Sequence, residues 1–472
     1  MRDTDEPQPS FADAELQDQG ITLDGTLQAV SDLVDQHGEL VDRVRQDLVR
    51  GLKNPKTGRE GLNAQQVLRS FVLKSIKNWD LRELRERITD GITLRIFTTF
   101  FARRVPKHDA FNRSFNRLTP TTLRAVNEIV VRAAVALRVE DGKKLRVDTT
   151  VVETDIHFPT DSTLLWDSVR VITRTAKRLV SKLPGGVHFS NHTRQARRRM
   201  QELQRLTPLQ RRDQQVPKYR KLIKLTSRVV QAARQVIENS KGACGTDAQS
   251  TVSIEALSKQ LERYCSLADR VIDQARRRVL EGEQVPNEDK IFSIFEPHTD
   301  CIKRGKAQKP VEFGHKVFLA ESAIGLITDY HVLDRNPPDE RHVGPSLTHH
   351  KKVFGTAPEL YATDRGFYSP ANVELCRTEG VVNECLPQRG GKKTPEREAH
   401  EKSRAFRKGQ RFRAGVEGRI SVLLRGRGMR RCTNKGRERF DVFVGVAVLA
   451  NNLMIIADRL MRKSARRRRR AA

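Results

Sequence analysis

The chain has 472 residues and carries 88 Lys+Arg against 58 Asp+Glu, a net charge of +30. That length allows about two to four domains with real cores, and the charge is most simply matched by a polyanion, whose phosphates it would neutralise with release of counterions. A membrane surface fits less well, because no amphipathic basic anchor and no lipidation motif is present. The six cysteines, at 244, 265, 301, 376, 385 and 432, form no C-x-x-C pair, which excludes a zinc ribbon or a disulfide frame and suits a cytosolic protein. The N-terminus, Met1 to Glu6, lacks the basic and apolar regions of a signal peptide.

Residues 1–20 are polar and read as loose. An apolar helical pattern follows from Ile21 to Leu52, then a turn from Asn54 to Gly58. Asn63 caps a helix with Val67, Leu68, Phe71, Val72, Ser75 and Ile76 on one face. Asp80 and Glu83 start a second helix in capping-box fashion, with Leu81, Leu84 and Ile88 inward and Arg82, Arg85 and Arg87 on the polar side. Such a pair is either a DNA-reading helix-turn-helix or plain helical packing. Another helix runs from about Thr121 to Leu137.

Leu145 to Glu153 reads as a β-strand rich in β-branched residues, with Asp148 in its middle. A charge in a half-buried strand needs a partner, so Asp148 either faces water at a strand edge or meets a cation. Residues 161–285 then show only helical patterns: Leu164–Leu183, Arg194–Leu206, Tyr219–Asn239 and Ile254–Leu280. Breaks fall at Pro184–Gly186 and Lys241–Gly245. Their basic runs (Arg197–Arg199, Arg211–Arg212, Lys218–Lys224, Arg276–Arg278) form either a solvated hairpin or a clamp on phosphate backbones.

Strands resume as a hairpin, Glu312–Glu321 and Ile324–Leu333, with the turn near Ser322–Ala323. A helix at Gly344–Phe354 follows, then a strand from Leu360 ending in Asp364, a helix capped at Ser369, and a strand at Val381–Cys385. Residues 388–410 read as a basic, Gly-rich loop, followed by one helix carrying Arg413 and Glu417. The apolar run from Phe440 to Ala457 holds Asp441, Asn451 and Asn452, so it suits a buried helix better than a membrane span. Five arginines, 466–470, read as a disordered tail. Strands alternating with helices imply a mixed α/β fold whose sheet is covered by helices.

Asp148, Asp364 and Glu417 fall in or beside separate elements, and acids from separate elements can converge at the strand ends of an open sheet. Three carboxylates with few histidines suit Mg²⁺ or Mn²⁺. Two such ions about 3.5–4 Å apart can hold the attacking and leaving oxygens of a phosphoryl transfer. For the third acid, Glu374, Glu384 and Glu401 compete with Glu417; Arg413 one turn before Glu417 favours the last.

The run from Val147 to Ser162, continuing from Leu164 to Val171, resembles the first catalytic block of bacterial insertion-sequence transposases with a DDE site, the ISNCY-type group in particular. Lys303–Lys306, Val311–Val317, Ala362–Tyr368 and Gly415–Ser421 resemble later blocks, and Leu68–Phe97 resembles the helical domain before the core. The resemblance implies an RNase H-like catalytic core with a helical N-terminal domain and a large helical insertion after the first strand. The implied division is 1–140, a helical domain and candidate helix-turn-helix; 141–160 with 290–460, the core; 161–289, the basic insertion; and 461–472, the tail. It assigns Asp148, Asp364 and Glu417 to catalysis and metal binding. Arg413, Arg425, Arg365 and His157 are candidates for DNA contact, although His157 could equally orient a neighbour or be structural.

Arg413 fits the Arg-x-x-x-Glu half of the Tyr-Arg-Glu-Lys signature; Gln410 stands at the Tyr position, and Leu424, next to Arg425, at the basic one. No role follows for Asp155 or Asp161, and Trp166 and Tyr264 read as packing residues. The implied activity is Mg²⁺- or Mn²⁺-dependent cleavage at the terminal inverted repeats, with two ions, and transfer of the freed 3′-hydroxyl into target DNA. A homodimer or larger assembly on DNA in the bacterial cytoplasm, nucleoid-associated, would perform it. A metal-dependent nuclease without strand transfer, or an inactive DNA-binding descendant, shares the same sequence features.

Overall fold

The computed structural model describes residues 22–57, 61–183, 187–242, 248–303 and 310–471. The polar start (1–20), Gly58, the Pro184–Gly186 break, the Ala243–Gly245 part of the next break with Cys244, and Arg304–Lys306 lie outside the described residues. The chain divides into two compact units: Met1–Glu153 with His315–Ala472, and Thr154–Gly314.

In the first unit the Ile21–Leu52 pattern resolves into two helices, α1 (Gly25–Gln36) and α2 (Gly38–Val49). His37 separates them with φ −121° and ψ 67°, outside helical space. Helix α3 (Ala64–Lys77) begins in a full capping box between Asn63 and Gln66. Asp80 caps α4 (Leu81–Asp90) by accepting from the backbone N–H groups of Arg82 and Glu83. Leu84 and Ile88 are buried while Arg82, Arg85 and Arg87 stay exposed. Arg69 is a buried cation invisible in the apolar pattern. Its guanidinium donates to Gln65, Ser31, the Phe97 carbonyl and Asp35, so no donor group is stranded in the core. Helices α5 (Ile92–Phe97) and α6 (His108–Phe115) complete the layer.

Helix α7 (Pro120–Ala136) packs on α17 (Arg437–Ala471). By length and composition α17 could cross a membrane, yet 78% of its apolar window is buried within the protein. Asn452 on it is fully buried and donates to Asn127 of α7 and to the Ile327 carbonyl, while Ile327 N–H donates back. These polar bonds register the helix against its neighbours. Arg466–Arg470, read as disordered, continue α17 as a helix with exposed side chains.

The sheet is mixed. Strand β1 (Lys144–Thr154) lies between β3 (Val311–Ser322) and β5 (Leu360–Ala362); β4 (Ile327–Val332) continues from β3, and β6 (Asn383–Cys385) from β5. β1, β5 and β6 are parallel, whereas β3 and β4 form the antiparallel hairpin. A central strand is covered on both faces, so Thr150, Val151 and Val152 are all buried and the simple inside–outside alternation breaks down. A short β7 (Arg431–Cys432) pairs with β1. Helices α12 (Val343–Phe354) and α13 (Pro370–Thr378), the latter capped by Ser369, follow β4 and β5.

Residues 388–410 are not a continuous loop. They include α14 (Pro395–Lys402) and most of α15 (Arg404–Ala414), started by Thr394 and Ser403 caps. Glu417 lies on a separate helix, α16 (Val416–Ser421). Dense Lys and Arg obscured the apolar face of α15, which buries Phe406 and Gly409. A side chain at Gly409 would collide with Cys385 Sγ, so the glycine sets how closely α15 approaches β6.

The second unit is largely helical. α8 (Asp161–Val180), α9 (Thr193–Gln204), α10 (Pro208–Ser240) and α11 (Ala248–Ala275) share one core, including Leu165, Ile172, Met200, Val229, Leu261 and Val271. Strand β2 (Asp300–Lys303), which carries no clear sequence signal, pairs antiparallel with the first residues of β3. Arg197, Arg198, Arg211, Arg212 and Arg220 are exposed.

Candidate metal centre

The parallel pairing of β1 with β5 sets Arg146 opposite Ala362. Asp148 and Asp364 each lie two residues beyond that pair, so the register carries both acids to the same edge of the sheet. Asp364 caps the short 3-10 turn Arg365–Phe367 by accepting from Gly366 N–H at 2.8 Å. Asp148 is only 8% exposed. Its Oδ1 accepts from Thr149 N–H at 2.7 Å, and its Oδ2 accepts from Arg413 Nη2 at 3.0 Å.

Arg413 is the hub. Beside its 3.0 Å bond to Asp148, Nη2 stands 3.8 Å from Asp364 Oδ2, and Nη1 stands 3.6 Å from Glu417 Oε1. One guanidinium thus reaches all three acids. Its Nε is buried with no hydrogen-bond partner, so the packing does not fully satisfy it where it stands. Glu417 is the exposed member, with 73% of its side chain accessible.

A separate framework aims Arg413. Arg146 of β1 donates twice to the fully buried Glu321, at 2.7 and 2.8 Å, and once to the Phe412 carbonyl at 2.5 Å. Arg419 also faces Glu321 at 3.3 Å. Gln410 donates to the carbonyls of Thr363 and Cys385, at 3.3 and 2.9 Å, and so ties α15 to the ends of β5 and β6. The C-terminal turn of α15 is therefore fixed immediately before Arg413.

Burial pushes the Asp148 carboxyl up to about 6; Arg413 opposes the shift, and the negative charges of Asp364 and Asp339 add to it. Asp339 was not singled out from the sequence. It follows Pro337–Pro338 and opens the 3-10 turn Asp339–His342 between β4 and α12, where neither periodicity nor strand pattern marks it. Its Oδ1 accepts from Thr149 Oγ1 at 3.1 Å and pairs with Lys316 Nζ at 2.8 Å. Four carboxylates thus share this region with two cations, Arg413 and Lys316.

Among the described residues, no three His, Cys, Asp or Glu side chains are gathered tightly enough to hold one ion as they stand. The donor set still suits a hard divalent cation: the centre is all carboxylate, carries excess negative charge, and already holds a cationic group among its acids. Asp148, Asp364 and Glu417 are the three carboxylates that the Arg413 guanidinium reaches within 3.8 Å.

Arg365 and Arg425 are exposed; the first adjoins Asp364, and the second lies on the π-helical turn Val422–Gly426. His157 belongs to the second unit, where Nε2 faces Asp167 at 3.3 Å. Asp161, in the same unit, is buried and accepts from Gln274 and Arg278, at 2.8 and 2.7 Å. The rival glutamates have other partners. Glu384 pairs with Arg377, Glu401 with Lys393 and Arg397, and Glu374 stands 3.9 Å from Arg377.

Residues 17–117 match a family model described as a transposase domain (DUF772). The match supports a transposase family and implies interaction with DNA. It ends before β1 and so covers none of the four acids. No curated protein and no solved structure matches the chain.

Proposed function

We propose that the chain is a DDE transposase that cleaves DNA at insertion-sequence ends and joins the freed 3′-hydroxyl to target DNA. The observation that carries this reading is the single guanidinium of Arg413 within 3.8 Å of Asp148, Asp364 and Glu417, in a chain whose N-terminal part matches a transposase domain. The strand order β4-β3-β1-β5-β6, with parallel β1, β5 and β6 beside an antiparallel hairpin, supports an RNase H-like core. The helical unit Thr154–Gly314 supports an insertion after the first strand.

Two Mg²⁺ or Mn²⁺ ions, when bound, would activate the attacking oxygen and stabilise the leaving one. Asp148, Asp364 and Glu417 would hold them. Arg413, displaced from the acids, would turn to a phosphate, two of whose oxygens it can grip with two parallel N–H groups. Arg365 and Arg425, exposed near these acids along the chain, would neutralise flanking phosphates, while the arginines of α9 and α10 hold backbone further away. His157 is proposed as a DNA contact. Two ends must be handled together, so the active species is a homodimer or larger, acting in the cytoplasm on the nucleoid.

Incubation with Mg²⁺ and a DNA fragment carrying the element's ends tests the reading. Joined products from the wild type and none from Asp364→Asn would support it. Nicks without joined products would point to a nuclease, and undiminished function in Asp148→Ala to a non-catalytic DNA-binding protein. A monomer on DNA by sedimentation would count against the assembly.

A further inference from the structure

The segment Arg425–Arg431 carries four arginines and no acid. Its backbone is fixed from within. Leu423, Met429 and Cys432 are buried in one core cluster, and the N–H groups of Met429 and Arg430 donate to the carbonyls of Leu423 and Leu424. The segment lies along the C-terminal turn of α3 and the connection into α4. Arg427 Nη1 donates to the Ile76 carbonyl at 3.2 Å, and a side chain at Gly428 would collide with the Asn78 carboxamide. Lys74, one turn earlier on α3, faces Asp80 and Cys432.

The cations at this junction lack acids. Arg431 is held by Glu153 at 2.8 Å, but among the described residues Lys74, Arg427 and Arg430 form no ion pair with a carboxylate. Asp80 is committed to capping α4. Lys74 and Arg427 are both half-buried. Burial pushes both below their ordinary values; Asp80 and Cys432 oppose the fall at Lys74, and the Arg419 charge adds to it at Arg427. Of the three Arg427 nitrogens only Nη1 has a partner: Nε is buried without one, and Nη2 makes no hydrogen bond among the described residues. Capping the last carbonyls of α3 uses one nitrogen of Arg427 and accounts for neither Lys74 nor Arg430.

We propose that Lys74, Arg427 and Arg430 form a phosphate-binding saddle for duplex DNA, set between the α3–α4 connection and the segment that follows α16. Charge names the occupant: a phosphodiester supplies the missing anion, and a guanidinium fork matches two of its oxygens. Lys74 also lies within residues 17–117, the part of the chain that matches a transposase domain. The proposal rests on the DNA-directed reading above and does not depend on the metal centre. A strand seated here is held at once by the α3–α4 pair and by the segment leading from Glu417.

The test uses the full chain and a short duplex of arbitrary sequence, bound in EDTA over a range of NaCl concentrations. Lys74→Met, Arg427→Gln and Arg430→Gln should each flatten the slope of log affinity against log salt by about one, and the triple variant by up to about three. Lys74→Met should also raise the melting temperature of the DNA-free protein, because it removes a half-buried cation that has no acid partner. Arg430 is exposed, so Arg430→Gln reads the site without a folding defect.

Unchanged slopes in Lys74→Met and Arg430→Gln would overturn the proposal. So would a lower melting temperature in Arg427→Gln with an unchanged slope, which would mark Arg427 as a cap of α3 alone. Asp364→Asn runs in parallel, with cleavage read in Mg²⁺. If it fails to cut while the saddle variants keep the wild-type slope, the saddle falls and the reading of the three acids stands. If the wild type binds duplex with no salt dependence, both the saddle and the DNA-directed reading fall.

Discussion

Asp148→Asn should make the metal-free protein more stable. The carboxylate is 8% exposed, accepts one backbone N–H and one guanidinium bond, and has its pKa pushed up to about 6. An unfolded Asp titrates near 3.9, and each tenfold difference in proton affinity is worth about 1.4 kcal/mol. Holding the ion at pH 7.5 therefore costs the fold about 3 kcal/mol, to which the attraction of Arg413 has already been credited. The sign follows from the raised pKa. The contribution of Asp148 to stability is fully present below about pH 4 and is lost as pH rises through about 6. Amidation should therefore add about 3 kcal/mol at pH 7.5, roughly half of that at pH 5, and little at pH 4.

Scanning calorimetry in EDTA at these pH values reads the effect as a rise of roughly 5 °C at pH 7.5 that shrinks on acidification. Saturating Mg²⁺ should reverse the order, because a bound ion stabilises only the protein that can hold it. An Asp148→Asn protein that is less stable than wild type in EDTA at pH 7.5, or equally stable at every pH, would refute the reasoning.

Mn²⁺ affinity should fall about tenfold per pH unit below pH 6, since Asp148 must lose its proton to bind; calorimetric titration from pH 5 to 7.5 checks this. Arg146→Met leaves the fully buried Glu321 with Arg419 alone, at 3.3 Å, and should cost about 3 kcal/mol in urea denaturation. Gly409→Ala should cost about 1–3 kcal/mol by overpacking against Cys385, and a second change, Cys385→Ala, should recover part of it. Replacing Arg197 and Arg198 with alanine should flatten the slope of log affinity for DNA against log salt by up to about two. An unchanged slope would remove α9 from the DNA-binding surface.

Local signals made much of the fold legible. Caps at Asn63, Asp80 and Ser369 start helices where the sequence reading put them, and the β-branched run around Asp148 is a strand. Signals weaken where charge masks apolar periodicity. Phe406 and Gly409 turn inward among Arg404, Arg407, Lys408 and Arg411, so α15 read as loop. The arginine tail read as disordered because like charges repel, yet it continues a helix whose earlier turns are fixed in the core.

The acids at β1 and β5 could be nominated because each adjoins a strand signal, but their approach depends on a parallel register between residues far apart in the chain. Asp339 was illegible for a related reason. It meets Thr149 and Lys316, residues distant in sequence and unrelated to it by any periodicity. Arg69 is similar: a lone arginine in an apolar stripe gives no hint that Ser31, Gln65, Asp35 and the Phe97 carbonyl will receive it.

Strand cleavage in Mg²⁺ on DNA carrying the element's ends, comparing wild type with Asp148→Asn, Asp364→Asn and Glu417→Gln, is the most direct measurement. The carboxylate centre around Arg413 predicts that all three variants bind this DNA as wild type does and fail to cut it. Normal cutting by Glu417→Gln alone would move the third ligand to another acid. Normal cutting by all three would contradict a catalytic role for the centre.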